Sequence, residues 1–175
     1  TRGEGRLRGY ISQVALYSPM PSGRSPVPDD KKGGLRIIFG PSGSGKTTLL
    51  RKWADRHGYS YLNIGSLVSQ RTLEYSPAER SNAVQRKFQD AVESAEGDVV
   101  LCDNIELLFA SELSLDPLRL LKQAARRKTV IAAWSGASDG STLSYAMPGH
   151  GEYWAYSYVD VQDVVLLSVN EANAL

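Results

Sequence analysis

Thiols and imidazoles are scarce in this chain of 175 residues, which has one cysteine, Cys102, and two histidines, His57 and His150. A lone cysteine cannot close an intrachain disulfide, and within "VVLCD" it reads as a small buried hydrophobe. With so few strong ligands, no His/Cys/Asp/Glu cluster reaches the spacing of a protein-built metal centre. No apolar run approaches the roughly 20 residues a membrane-spanning helix requires. An excess of either charge is missing too: 20 Lys and Arg face 19 Asp and Glu, a net +1. That balance gives no global electrostatic reason for nucleic-acid or membrane binding, although a local basic face remains open. No internal repeat is present. Hydrophobic residues at 42% and charged residues at 22% are ordinary for a soluble, compact chain of single-domain length. The lack of disulfide chemistry suits a reducing cytoplasm. Because the chain opens on Thr1, its first residue says nothing about a leader.

Glycine, by contrast, is concentrated where it weakens a fold most. In "LRIIFGPSGSGKTTLLRKW", Gly40, Gly43 and Gly45 separate an apolar strand from a helical pattern. Each loses more backbone entropy on folding than alanine would, so a ligand that needs close backbone approach is the expected reason for them. Residues Gly40, Pro41, Ser42, Gly43, Ser44, Gly45, Lys46 and Thr47 match G-x-x-x-x-G-K-[ST] in the strand-to-helix context that pattern requires. Such a loop turns successive N–H groups into one concavity at a helix N-terminus and favours a di- or triphosphate. Lys46 is placed to reach the outer phosphates, Thr47 to ligate Mg²⁺, and Thr48 to complete the loop. ATP and Mg²⁺ are therefore the expected cofactors, while hydrolysis does not follow from a cradle alone.

Around this motif, residues 1–34 read as an N-terminal arm, with helical spacing in "YISQVALY" and a flexible connector in "SPMPSGRSPVPDDKKGG". Residues 35–175 read as one P-loop domain. After the loop helix, which stops at Gly58, come a strand in "YSYLNI", a helix in "PAERSNAVQRKFQDAVESA" with Pro77 near its start, and a buried strand in "DVVLCD". "DPLRLLKQAARR" follows with Asp116 as N-cap, then the strand "KTVIAAW". Beyond these, "VQDVVLLSV" offers one more strand, and the aromatic, glycine-containing stretch before it is expected to be an ordered loop. The alternation predicts an α/β three-layer sandwich with a mainly parallel sheet.

Asp103 ends a buried strand at the edge where ligands of open α/β sheets collect, the place for a magnesium-positioning carboxylate. Asn104 stands beside it, where many P-loop ATPases have glutamate, and Glu106 follows two residues later. Two readings of this pair stay open: an apparatus that orients water, or a loop cap and a surface acid. An extra strand and helix precede Asp103, which fits the ATPase-type division, where the aspartate strand is not adjacent to the loop strand. Completing that reading, Ser135 falls where AAA+ proteins keep a phosphate sensor. Arg126 and Arg127 stand where such proteins carry an arginine finger for a neighbouring subunit, or else form a favourable cation pair at a helix C-terminus. About 40 residues follow Trp134, fewer than a full C-terminal helical lid needs. The expectation is a nucleotide face that stays open in a monomer, with water excluded by another chain or by the N-terminal arm, and hence self-association.

Taken together, "GPSGSGKTTLLRKWA", "VVLCDNIELLF", "LDPLRLLKQAARRKTVIAAWSG" and "LSYAMPGHGEYWAY" resemble the BrxF-like small P-loop proteins of type III BREX systems, which defend bacteria against phage. The resemblance runs from about Leu35 to Tyr156. It implies ATP binding at Gly40 to Thr47, Mg²⁺ support by Asp103, Asn104 and Glu106 in the hydrolysis neighbourhood, and membership of a multi-protein machine that includes a DNA methyltransferase. The connector before Leu35 is longer than the family leads one to expect.

Other features are read more plainly. His57 is expected to cap its helix. His150, with Glu152 close by in "MPGHGEY", either bonds within its loop or helps close the site. Arg71, Arg80, Arg86 and Lys87 form either a solvated face or a track for a nucleic-acid backbone. Three functions compete: a self-associating ATPase subunit of a phage-defence complex, a nucleotide-dependent recruitment module, and a small-molecule phosphotransferase.

Overall fold

Apolar residues alternate along the central strands and send their side chains to two separate cores. A computed structural model describes residues 25–27, 33–69 and 75–175. On β3 (Val99–Asp103), Val100 and Cys102 enter one cluster and Leu101 the other. On β4 (Thr129–Ser138), Val130, Ala132 and Trp134 take the first side, Ile131 and Ala133 the second. The period of two is that of a strand, and occupancy of both faces is that of a sheet covered by helices on both sides.

The remaining elements supply those covers. β1 (Gly34–Gly40) leads into α1 (Lys46–His57), β2 (Ser60–Asn63) into α2 (Ile64–Ser69), and α3 (Pro77–Ser94) precedes β3. Two short 3₁₀ turns, Ile105–Phe109 and Ser111–Leu113, lead to α4 (Pro117–Ala124) and β4. The chain then forms β5 (Leu143–Tyr145), β6 (Trp154–Tyr156), α5 (Tyr158–Val161), β7 (Val165–Ser168) and α6 (Val169–Asn173). Leu49, Leu50 and Trp53 of α1 and Ala172 of α6 pack on the face with Ile38 and Leu101. Residues of α2, α3 and α4 pack on the face with Ile37 and Cys102. The result is a three-layer αβα sandwich, as the alternation of elements predicts.

The parallel strands run in the order β2-β3-β4-β1-β7. β4 therefore lies between the loop strand and the aspartate strand, pairing Gly40 with Ser135 on one side and Cys102 with Ala132 on the other. This is the ATPase-type order expected from the extra strand before Asp103.

Helix ends follow the sequence signals. Gly58 closes α1 in a left-handed conformation, φ 68°, with its N–H donating to the Ala54 carbonyl. Ser76 and Glu79 form a capping box ahead of Pro77, and the Asp116 carboxylate accepts from the Arg119 N–H at the start of α4.

One expectation needs correction. The stretch after β4 is not simply a loop: β5 and β6 form an antiparallel hairpin whose first strand pairs with the end of β4. It is held by Trp134, whose indole N–H donates to the Ser144 carbonyl at 2.9 Å, and by Tyr145 stacked on Phe109. The connector also contributes to the folded unit. Val27 is buried in the α1 core, and the Ser25 hydroxyl shares a 2.6 Å hydrogen bond with the Tyr59 hydroxyl. The Gly33 and Gly34 N–H groups donate to the Thr129 hydroxyl and the Ala125 carbonyl. The helical reading of "YISQVALY", the rest of the connector and Arg71 lie outside the described residues.

Candidate nucleotide site

At the carboxyl edge of the sheet, the loop between β1 and α1 rises around the α1 N-terminus. Gly43 and Gly45 hold φ of 76° and 92°, conformations that residues with a β-carbon rarely adopt. A β-carbon at either position would project into open space, which leaves the backbone bare toward the cleft. Gly45 is also the N-cap of α1 and has no side chain to bond the first helical N–H groups. Those donors and the helix dipole make this end of the loop attractive to anions.

The adjoining cleft encloses about 300 Å³ and is lined by residues 42–48 together with Asp103, Asn104, Glu106 and Ser135. The structure thus brings the glycine loop and the three predicted residues of the aspartate segment into one place. Lys46, almost fully buried, donates to the carbonyls of Gly40 and Pro41 at 2.9 and 2.7 Å and to the Ser44 hydroxyl at 3.3 Å. Burial pushes its ammonium below the ordinary lysine value, while the nearby Glu106 and Asp103 charges pull in the opposite direction.

Asp103 is 2% exposed, and its two oxygens have different partners. Oδ1 accepts from the Asn104 backbone N–H at 2.9 Å, and Oδ2 accepts from the Tyr61 hydroxyl at 2.7 Å. Tyr61 is half-buried on β2, its ring under the Arg51 guanidinium at 4.8 Å. Burial first, and then the bond to Asp103, pushes the Tyr61 phenol up to about 12, so it remains a donor throughout the physiological range. Asn104 is exposed in a left-handed conformation, φ 53°, and turns the chain into the following 3₁₀ helix. Glu106, partly buried, accepts from the Ser135 hydroxyl at 2.7 Å. It is therefore a fixed member of the cleft rather than a surface acid.

A nucleotide with Mg²⁺ fits this donor set. A buried lysine, free helix N–H groups and a bare backbone suit phosphates. Thr47 and Asp103 offer the one or two protein oxygens that Mg²⁺ takes beside phosphate ligands. Among the described residues no cluster of three or more His, Cys, Asp or Glu could hold a metal by itself.

Other predicted residues lie elsewhere. Arg126 and Arg127 are exposed just before Thr129, the register partner of Gly34 at the opposite edge of the sheet from the loop. Arg127 reaches Glu93 at 3.4 Å, and neither arginine lines the cleft of its own chain. His57 stacks on Tyr59, and His150 Nδ1 accepts from the Glu152 N–H within its own loop. Arg80 is turned to the Tyr75 carbonyl, and Lys87 lies over the Tyr75 ring. Sequence reasoning missed Tyr61 and Arg51. The available signal was the strand period, which sets Tyr61 diagonal to Asp103 once β2 and β3 are taken as neighbours in register.

Comparison with known proteins gives matches of differing extent. Residues 36–132 match the model of the ATPase family associated with various cellular activities (AAA). Over 77 residues the chain is 41% identical to an adenylate kinase of Pyrococcus furiosus, covering 44% of this chain and 31% of that one. Among solved structures, a DNA replication initiation factor is 17% identical with a TM-score of 0.42, covering 78% of this chain and 40% of its own. PCH-2 of C. elegans is 21% identical with a TM-score of 0.42, covering 81% and 36%. The chain thus spans about a third of the curated relative and no more than 40% of either solved structure. Because the family match runs unbroken from the strand before the glycine loop, through Asp103, into β4, this chain belongs to the AAA family of ATPases.

Proposed function

We propose that this chain hydrolyses ATP with Mg²⁺, self-associates to share its active sites, and serves as the ATPase subunit of a bacterial BREX phage-defence complex acting on DNA. The observation that supports hydrolysis rather than binding alone is the Ser135–Glu106 hydrogen bond inside the cleft that holds Lys46 and Asp103. A carboxylate fixed there can orient a water and accept its proton. Lys46 would reach the outer phosphate oxygens, and the loop N–H groups would hold the others. Thr47 and Asp103 would hold Mg²⁺, which when bound offsets charge on the transferring phosphate.

The BREX assignment rests on the motif resemblance between Leu35 and Tyr156. In this reading residues 1–34 are an arm on an ATPase domain at 35–175, with 25–27 docked on that domain. The compartment is cytoplasmic, and the partners are further copies, other BREX components, and DNA reached directly or through the complex. Among the described residues no helix is long and apolar enough to cross a membrane. Arg126 or Arg127 then acts on a neighbour's nucleotide.

Two other readings have an observation each. Asn104, beside Asp103 where many such ATPases have glutamate, favours a module that holds ATP to recruit partners. The adenylate kinase similarity favours phosphoryl transfer to a small acceptor, although β4 intervening between β1 and β3 speaks for the ATPase division.

Turnover measured against protein concentration, with and without DNA and with AMP as acceptor, separates the three. We expect a rate that rises with concentration, lost in Lys46→Ala together with binding and lost in Glu106→Gln with binding retained. Collapse in Arg126→Ala marks a shared site. Tight ATP binding without turnover overturns the hydrolytic reading, and ADP formation that depends on AMP supports the kinase reading instead.

A further inference from the structure

Asp103 is anchored from two directions, and only one anchor is local. The Asn104 N–H reaches Oδ1 from the next residue, as any turn at this place would allow. The Tyr61 hydroxyl reaches Oδ2 from a different strand, 42 residues away in sequence. With one donor on each oxygen, the carboxylate cannot turn about its terminal torsion without losing a bond, while each oxygen keeps a second lone pair. Tyr61 is fixed in turn by Arg51, whose guanidinium covers its ring at 4.8 Å. Arg51 lies one helical turn beyond Thr47 on α1, so the helix that begins at the phosphate loop also fixes the tyrosine that holds the aspartate.

We propose that Tyr61, clamped by Arg51, is a positioning residue that sets the plane of the Asp103 carboxylate for the divalent cation accompanying the nucleotide. This rests on the reading that Asp103 serves that cation. A purely structural role, in which the hydroxyl satisfies a buried carboxylate, has a different signature: stability changes and cation dependence does not. Groups that orient metal ligands from behind commonly alter metal affinity by about 10-fold or more when removed.

The test uses the full chain and follows binding of a fluorescent ATP analogue as Mg²⁺ is titrated, with the Mn²⁺ electron paramagnetic resonance spectrum of the nucleotide complex as a second readout. Tyr61→Phe retains the ring under Arg51 and removes only the hydroxyl. We expect the half-saturating Mg²⁺ concentration to rise about 10-fold, cation-free analogue affinity to stay as in the wild type, and the Mn²⁺ spectrum to broaden. Arg51→Gln, at an exposed position, is expected to shift the midpoint in the same direction by less. If Tyr61→Phe lacks a cooperative melt, the exposed variant carries the test alone. Asp103→Asn separates the two levels of inference. A midpoint shift in Asp103→Asn with none in Tyr61→Phe or Arg51→Gln overturns the positioning role alone, whereas no shift in Asp103→Asn overturns the metal role of Asp103 and this inference with it.

Discussion

Lys46 is held by its own loop, its ammonium donating to the Gly40 and Pro41 carbonyls and the Ser44 hydroxyl. Glu106 has a comparable arrangement, since the Ser135 hydroxyl at 2.7 Å restricts its rotamers. Ser135→Ala should therefore lower turnover about 10-fold while leaving ATP affinity unchanged, read as a fall in kcat without a change in Kd. At this scale the sequence showed the residues that belong to contiguous motifs. Asp103 was legible because a carboxylate closing "VVLC" needs a partner, and the glycine loop because its spacing is tied to phosphate geometry. Tyr61 was not, because its role depends on which strands become neighbours.

Elements show the same division between local and long-range causes. α1, α3 and α4 carry their own start and stop signals in Gly58, Ser76 with Pro77, and Asp116 with Pro117, and all three form where those signals stand. The β5–β6 hairpin has three-residue strands and no alternation strong enough to announce it. It forms because β4 continues past Ser135 and because residue 136 is glycine: a β-carbon there would lie 1.8 Å from the Ser144 carbonyl oxygen. Gly136→Ala should separate β5 from β4 and cost roughly 1–3 kcal/mol or more, measured by urea unfolding. Asp116 joins the hairpin to α4, since its Oδ1 accepts both the Arg119 N–H and the Tyr156 hydroxyl, each at 3.1 Å. Asp116→Ala should cost about 1 kcal/mol as a lost cap. Combined with Tyr156→Phe in a double-mutant cycle, it should show coupling of about 0.5 kcal/mol or more.

Across the whole molecule, the parallel sheet was legible from the alternation of strands and helices, and its order from the extra strand preceding Asp103. Packing of 25–27 was not, because a stretch rich in proline, glycine and charge gives no sign that Val27 docks beneath α1. Stability in acid is a property of this same scale, because several carboxylates serve as turn and cap acceptors at once. Glu79 is lowered chiefly by the Ser76 hydroxyl, Asp139 by the Ser141 backbone N–H and Asp160 by the Ser157 hydroxyl. A carboxylate whose folded value is depressed stabilises fully above its unfolded value, and that contribution is lost as pH falls through the folded one. Thermal midpoints should accordingly decline on acidification below the ordinary carboxylate range. Asp139→Asn should lower the midpoint near neutrality, with its gap to the wild type narrowing as pH falls.

β4 belongs to two sheets at once: its first part is clasped by β1 and β3, and its last three register positions, Gly136, Ala137 and Ser138, by β5. Ser135 sits at the seam, with no loop between it and the hairpin. The residue whose hydroxyl holds Glu106 is therefore flanked directly by the first position that pairs with the hairpin.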